Sequence, residues 1–293
     1  MKIDVNLAKW CFQLLRPCSV GALLALTFGK SRPKSVLFFT QHKSASTFVT
    51  QILMSFSKLE KPLKHVNYGN ILSDVGCLLD FEQRFPVEND WYYQYDRTLF
   101  KRTGCVYGPF RQPFFASDFD FFKKIIFLRD PRDALISRFY SFGFSHGVPK
   151  GTETKKFFLD ERDKIHAEGI DNYCIRMAAE WSKPLLSGYK KMVDRSIEKP
   201  LVITYEDYVD CPLDIIAAVF HYCGAEHYND LAASLAEKAN PISASVDINS
   251  HKRSGRKSQY LTELRPESIH EIENILMDEM TFFGWIKPGK NIE

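Results

Sequence analysis

The chain has 293 residues, 45% of them hydrophobic, so it can bury a substantial core as one large or two small domains. Lysine and arginine together number 39 against 36 aspartates and glutamates, an excess too small for a general nucleic-acid-binding protein. The seven cysteines form no CxxC pair and no zinc-ligand spacing, which favours free thiols in a reducing compartment. We therefore expect a cytoplasmic protein with no nucleic-acid partner and no metal, whose anion sites arise from local placement.

The first 34 residues are predicted to form a helical arm. Segment 7–28 is rich in apolar residues, but Arg16 and Pro17 interrupt it, and the clean run Val20–Phe28 is far shorter than the ~20 residues of a membrane span. The arm is expected to pack on the domain, with peripheral membrane contact or a signal anchor as alternatives. The predicted organisation is an arm at 1–34 and one domain at 35–293.

A strand, a polar loop and a helix begin the domain. The apolar run Val36–Phe39 is typical of a strand buried on both faces. The loop Thr40–Ser46 contains Lys43, and apolar residues at helical spacing begin after Thr47. Because a helix N-terminus presents unpaired N–H groups and partial positive charge, this unit suits a phosphate or a sulfate.

The region 58–112 is predicted to consist of loops and short helices, because it contains several prolines and glycines. It includes an aromatic stretch, Trp91–Tyr95. Such connections often carry binding specificity, and local packing is the alternative role for these rings.

A second strand–turn–helix unit follows. Ile125–Leu128 is a predicted strand, and Asp130 followed by Pro131 is typical of a helix start. Arg129 is thus expected at the carboxyl end of a strand, with Ser137 two turns into the helix. Ligands of open α/β sheets bind at that edge, so the two units together predict one ligand with two anionic groups.

Strands and helices continue to alternate to the end of the chain. Residues 170–191 have helical periodicity, Pro200–Tyr205 is a third buried strand, and helices are predicted to begin at Pro212 and Pro266. The basic segment 249–258 lacks periodicity and is predicted to be a loop, either an exposed linker or an anion clamp. This alternation predicts an α/β fold with a central, mostly parallel β-sheet flanked by helices.

The loop Thr40-Gln-His-Lys-Ser-Ala-Ser-Thr-Phe48 does not match the GxxxxGK[ST] pattern of nucleotide phosphate loops. It resembles instead the phosphosulfate-binding loop of sulfotransferases that use 3′-phosphoadenosine 5′-phosphosulfate (PAPS), T-x-x-K-[SA]-[GA]-[ST]-[ST]-[WF]. Leu128–Ser137 is similar to that family's 3′-phosphate motif, Val202–Asp207 to its third core strand, and Lys252–Arg256 to its C-terminal clamp. The resemblance covers 35–285 and implies the family's P-loop-like sulfotransferase fold.

The resemblance also implies roles for individual residues. Lys43 would be the catalytic residue, because it would meet negative charge on the leaving phosphate oxygen. The other implied donor contacts are the N–H groups of Ser44, Ala45, Ser46 and Thr47, the ring of Phe48 on adenine, Arg129 and Ser137 on the 3′-phosphate, Tyr205 near adenine, and Arg253, Ser254, Gly255 and Arg256 in the clamp. Arg129 has an alternative structural role as a partner of Asp133 or Glu206. The resemblance implies no metal, and the product nucleotide would be adenosine 3′,5′-bisphosphate (PAP).

The acceptor and its base are not identified by the resemblance. Many cytosolic members carry the base in a Lys-Thr-His segment, and the corresponding segment Val106–Arg111 contains no histidine. The candidate bases between the two motifs are His65, Asp74, Glu82 and Glu88. The predicted function is sulfuryl transfer from PAPS to a hydroxyl or amine of a small molecule or a carbohydrate, with a sugar or glycolipid favoured. The alternatives are a non-catalytic PAPS- or PAP-binding protein and a nucleotide-dependent phosphotransferase.

Overall fold

The structure is a computed structural model that describes residues 33–60, 62–67, 100–116, 118–145, 147–148, 152–225, 227–239 and 255–287. The predicted arm, up to residue 32, and the aromatic stretch Trp91–Tyr95 lie outside the described residues. No helix within the described ranges is long and apolar enough to cross a membrane.

The centre of the fold is a parallel sheet, which confirms the predicted class. Five strands lie in the order β2-β3-β1-β4-β5, and all four neighbouring pairs among them are parallel. The strands are β1 (Val36–Thr40), β2 (Lys64–Val66), β3 (Cys105–Phe110), β4 (Lys123–Leu128) and β5 (Leu201–Thr204). The α-helices are α1 (Ser46–Ser55), α2 (Pro131–Tyr140), α3 (Thr152–Met177), α4 (Lys183–Arg195), α5 (Tyr205–Asp210), α6 (Pro212–Tyr222), α7 (Asn229–Lys238), α8 (Tyr260–Glu263), α9 (Pro266–Ile275) and α10 (Met277–Phe282).

Both faces of the three central strands, β3, β1 and β4, are buried, while the edge strands β2 and β5 are partly exposed. Side chains alternate along β1, so Val36 and Phe38 pack in one core with α1, α6 and α7, while Leu37 and Phe39 pack in a second core with α4. A third core joins α2, α3, α9 and α10 away from the sheet. The predicted helix 170–191 is divided by a π-helical turn, Ala178–Ser182, that separates α3 from α4.

The prediction of loops and short helices for 58–112 was wrong for β2 and β3. The sequence Cys105-Val-Tyr-Gly-Pro-Phe110 contains a Gly-Pro pair, which is typical of a turn. All six residues are nevertheless buried between β2 and β1, because the strand completes the sheet and its burial outweighs local preference. Gly108 makes this possible: its φ is +123°, and a Cβ there would lie 2.4 Å from the carbonyl oxygen of Phe38.

We expect the substitution Gly108→Ala to destabilise the fold by at least about 2 kcal/mol, because it adds a backbone clash to an unfavourable φ. Gly224→Ala is the matched control, since Gly224 has φ +81° but open space around the missing Cβ. It should cost only about 1 kcal/mol, the penalty for φ alone. Urea denaturation of the two variants measures the difference, and equal losses would show that contact with Phe38 is unimportant.

Candidate functional site

The loop between β1 and α1 leads into a helix whose N-terminus has no side-chain cap. Lys43 and Ala45 both adopt positive φ, at 71° and 48°, an uncommon conformation for residues with a Cβ. Ala45 is the N-cap of α1, and no side chain caps the helix. No acidic residue lies in its first turn. The first-turn N–H groups and the helix dipole are therefore oriented to receive an anion.

Lys43 lies in a strongly positive environment. Burial, together with the charges of Arg129, Arg111 and Arg138, lowers the pKa of its ammonium group to about 8. Like charges are not held together without a reason, since each raises the free energy of the others. This cluster of four cations therefore indicates a site for a multiply charged anion.

Arg129 follows β4 and joins three parts of the site. Its guanidinium donates hydrogen bonds to the carbonyl oxygens of Lys43 at 3.1 Å and Arg256 at 2.9 Å. The side-chain amide of Gln41 donates a hydrogen bond to the backbone carbonyl oxygen of Arg129 at 2.9 Å. The Nη2 atom of Arg129 lies 3.7 Å from the Oδ2 atom of Asp133. The predicted ion pair with Asp133 is therefore present, whether or not Arg129 also contacts a ligand. The Nε atom of Arg129 is buried with no acceptor among the described residues, which leaves a donor for a ligand.

The clamp segment is attached to the second motif by its backbone. The carboxylate of Asp133, which is fully buried, accepts hydrogen bonds from the N–H groups of Ser258 at 2.7 Å and Tyr260 at 3.1 Å. Burial raises the pKa of Asp133, while the charge of Arg129 opposes that rise. The sequence indicated Asp133 only as a possible partner of Arg129, because its contact with Ser258 spans 125 residues.

Tyr205 supports the clamp from the other side. Its hydroxyl donates to the carbonyl oxygen of Gly255 at 2.6 Å, and its ring lies 4.4 Å from the guanidinium carbon of Arg129. Tyr205 thus contacts the residues assigned to the 3′-phosphate, and its predicted place near adenine stays a prediction.

The remaining predicted donor contacts are placed in part. Phe48 is half-buried, and one face of its ring stacks on Tyr208 with centroids 4.7 Å apart. Ser44 is fully buried, and its hydroxyl has no hydrogen-bond partner within the described ranges. Ser137 is half-buried in α2. The side chains of Ser46 and Thr47, and all of Arg253 and Ser254, lie outside the described part of the chain.

Of the four candidate bases, the structure describes only His65. This residue pairs with Val106, which is level with Val36 at the beginning of β1. Its Nε2 lies 2.8 Å from the carbonyl oxygen of Gly108, and burial lowers the pKa of the ring. At ~3.3 Å per strand residue, Val106 lies about 16 Å along β3 from Arg111, the residue at the carboxyl end of the sheet where the Lys43 loop is. The register therefore does not bring His65 to the Lys43 loop, and Asp74, Glu82 and Glu88 are not described.

Two site residues were missed by sequence reasoning. Arg111 is the first residue after β3, a strand that the Gly-Pro pair concealed, and Arg138 follows Ser137 in α2 but was given no role from sequence. The signal for Arg111 was its place at the carboxyl end of a strand, which is visible once β3 is recognised. No group of three or more His, Cys, Asp or Glu side chains in the described ranges is placed to hold a metal ion.

Glu206, in α5 directly after β5, links the start of α2 to the segment that follows the last helix. Both of its carboxylate oxygens lie within 3.3 Å of the N–H of Asp130, and the indole N–H of Trp285 donates to it at 3.3 Å. Burial, together with the nearby charge of Asp130, raises the pKa of Glu206 to about 7. The contact holds the C-terminal segment beside the carboxyl end of β4.

Comparison with known proteins agrees with the observed fold. The sequence model of the sulfotransferase domain matches residues 33–284. Among solved structures, retinol dehydratase in complex with androsterone and the inactive cofactor PAP has a TM-score of 0.56 at 15% identity, covering 86% of this chain and 82% of that one. Retinol dehydratase with retinol and PAP has a TM-score of 0.53 at 16% identity, with the same coverage of 86% and 82%.

A mouse sulfotransferase with PAP has a TM-score of 0.46 at 13% identity, with 89% of each chain covered. No curated protein matches the sequence significantly. Since the domain match spans most of the chain, the protein belongs to the sulfotransferase domain family.

Proposed function

We propose that the protein transfers a sulfuryl group from PAPS to a hydroxyl of a small-molecule or carbohydrate acceptor. The observation that carries the proposal is the convergence of an uncapped helix N-terminus, Lys43 and Arg129 at neighbouring strand ends. Family membership supports sulfuryl transfer, and the retinol dehydratase structures of the same fold contain PAP. PAPS carries two anionic groups, as two strand–turn–helix units require.

The reaction balances without a redox step. The bond between sulfur and the 5′-phosphate oxygen breaks, a bond between sulfur and the acceptor oxygen forms, and the acceptor hydroxyl loses its proton. The products are PAP and a sulfate ester. By analogy with phosphoryl transfer, the enzyme mainly positions the reactants and neutralises the leaving oxygen.

The residues of the site have separate tasks in this scheme. The N–H groups at the start of α1 bind the phosphosulfate, and Lys43 stabilises charge on the leaving oxygen. Arg129 and Ser137 bind the 3′-phosphate, and the clamp held by Tyr205 and Asp133 lies over it. Phe48, backed by Tyr208, presents its other face to adenine.

The affinity for PAP should fall as pH rises through about 8. In the ligand-free protein the pKa of Lys43 is about 8, lowered by burial and three arginines, and a bound anion stabilises the charged form. Binding above pH 8 therefore requires uptake of a proton, and the affinity should drop up to about tenfold per pH unit. Calorimetric titrations between pH 7 and 9.5 measure this slope. Lys43→Met should remove this pH dependence. A wild-type affinity for PAP that does not change over that pH range would contradict the assignment of Lys43 to the anion site.

Calorimetry with PAP also tests the proposed function itself. Wild-type protein is expected to bind PAP at micromolar concentration or below, and absence of binding would overturn the proposal. PAP binding without transfer to any acceptor would favour the non-catalytic alternative. Magnesium-dependent turnover of ATP would instead favour the phosphotransferase.

A further inference from the structure

The backbone pairing of β4 with its neighbours stops one residue before Arg129. The last pair between β1 and β4 is Thr40 with Phe127, and the last pair between β4 and β5 is Leu128 with Thr204. Beyond these pairs the chain after β1 turns into the Lys43 loop, and the chain after β4 turns into α2. The position of Arg129 relative to that loop therefore depends on contacts other than the sheet ladder.

Two side chains hold the peptide group that joins Arg129 to Asp130. Its carbonyl oxygen accepts a hydrogen bond from the side-chain amide of Gln41, the first residue after β1, at 2.9 Å. Its N–H lies within 3.3 Å of both carboxylate oxygens of Glu206, in α5. Gln41 is only 2% exposed, so water does not compete for its hydrogen bond. The end of β4 is thus held by one side chain from the β1 side and one from the β5 side.

Arg129 also donates a hydrogen bond back to the loop that contains Gln41. Its guanidinium contacts the carbonyl oxygen of Lys43 at 3.1 Å, and Lys43 has the uncommon φ of 71°. Gln41 therefore binds the backbone of Arg129, while the side chain of Arg129 binds the backbone two residues further along the loop. We call these two hydrogen bonds the crossed pair. They fix the loop against the end of β4 in both directions.

The spacing of the loop and Arg129 matters because the two phosphates of PAP are attached to one ribose ring. In the proposed function, on which this inference rests, one phosphate lies at the loop and the other at Arg129. We propose that Gln41 is a positioning residue that sets the distance between these two phosphate subsites. It acts through the backbone of Arg129 and through the loop. A site whose charges are already at the right spacing loses less free energy to ordering when the ligand binds.

The test compares Gln41→Met with wild type, using the full chain and three probes: PAP, adenosine 3′-phosphate and adenosine 5′-phosphate. Methionine has a similar length but no donor, and Glu206 still holds the end of β4, so the loop is the part that is released. We expect the Kd for PAP to rise about tenfold and the Kd for each monophosphate to change less than about twofold. A single phosphate binds one subsite and does not depend on the spacing. Calorimetry measures PAP, and ligand-observed NMR measures the monophosphates.

Two further variants complete the test. Gln51→Met makes the same substitution at an exposed position of α1 and should change none of the three affinities. Gln41→Asn keeps an amide but is one methylene shorter, so it should show the same loss specific to PAP even if the methionine variant does not fold. An unchanged Kd for PAP would overturn the proposal, and so would an equal loss for all three probes, since that result indicates a general structural role. Failure of wild type to bind PAP is a different result, which refutes the proposed function itself.

Discussion

Lys43→Ala is expected to lower the rate of sulfuryl transfer by about 10²–10³-fold, the usual cost of removing one preorganised donor from a developing negative charge. The variant should remain folded. Because burial and three arginines hold the pKa of Lys43 below its ordinary value, its charge destabilises the ligand-free protein at pH 7. That penalty is full below pH 8 and disappears as pH rises toward 10.5. The melting temperature of Lys43→Ala at pH 7 should therefore equal or exceed that of wild type.

Lys58→Ala is the matched control, since Lys58 is exposed in the 3₁₀ turn that follows α1. Single-turnover assays with labelled donor separate chemistry from donor binding in both variants. A Lys43→Ala protein that transfers sulfate at the wild-type rate would remove Lys43 from the mechanism.

Arg129→Ala is expected to weaken PAP binding by about tenfold to a hundredfold, because a charge-assisted hydrogen bond contributes about 1.5–3 kcal/mol. The same substitution should destabilise the ligand-free fold by about 3 kcal/mol, since it leaves the buried Asp133 without its cation and removes the contacts to Lys43 and Arg256. Calorimetry gives the first quantity and urea denaturation the second.

The double variant Arg129→Ala/Asp133→Asn separates these two effects. Removing the uncompensated carboxylate should recover part of the lost stability, and the asparagine oxygen can still accept one clamp N–H. PAP affinity should stay low, because the phosphate ligand is still missing. Recovery of affinity together with stability would show that Arg129 acts only by holding the fold.

Much of the fold was predictable because its signals are local. The apolar runs of β1 and β4 define buried strands, whereas the strand predicted as buried at 200–205 forms β5 at the sheet edge with Val202 exposed. The Asp130–Pro131 start of α2 is realised in detail, with the side chain of Asp130 accepting from the N–H of Arg132. The concealed strand was β3. Gly108 and Pro109 are turn residues by local preference, and only a neighbouring strand that tolerates no Cβ explains why glycine stands there.

The parts of the site that lie within one local motif were predictable, whereas the contacts between residues distant in sequence were not. Lys43 and Arg129 stand in motifs whose spacing indicates an anion site. The contacts of Asp133 with Ser258 and Tyr260, and the approach of Arg111 and Arg138 to Lys43, join elements distant in sequence, so no spacing rule reveals them. His65 shows the converse, because its position between the motifs suggested a role that its register in β2 does not support.

The most direct measurement of the central claim is incubation of the protein with ³⁵S-labelled PAPS and an extract of its source organism, followed by mass spectrometry of the labelled products. We expect label in an acceptor, PAP released in equal amount, and an initial rate about 10²–10³-fold lower for both products when Lys43→Ala replaces wild type. Label that stays in PAPS with the wild-type protein, while PAP binds with ordinary affinity, would contradict sulfuryl transfer.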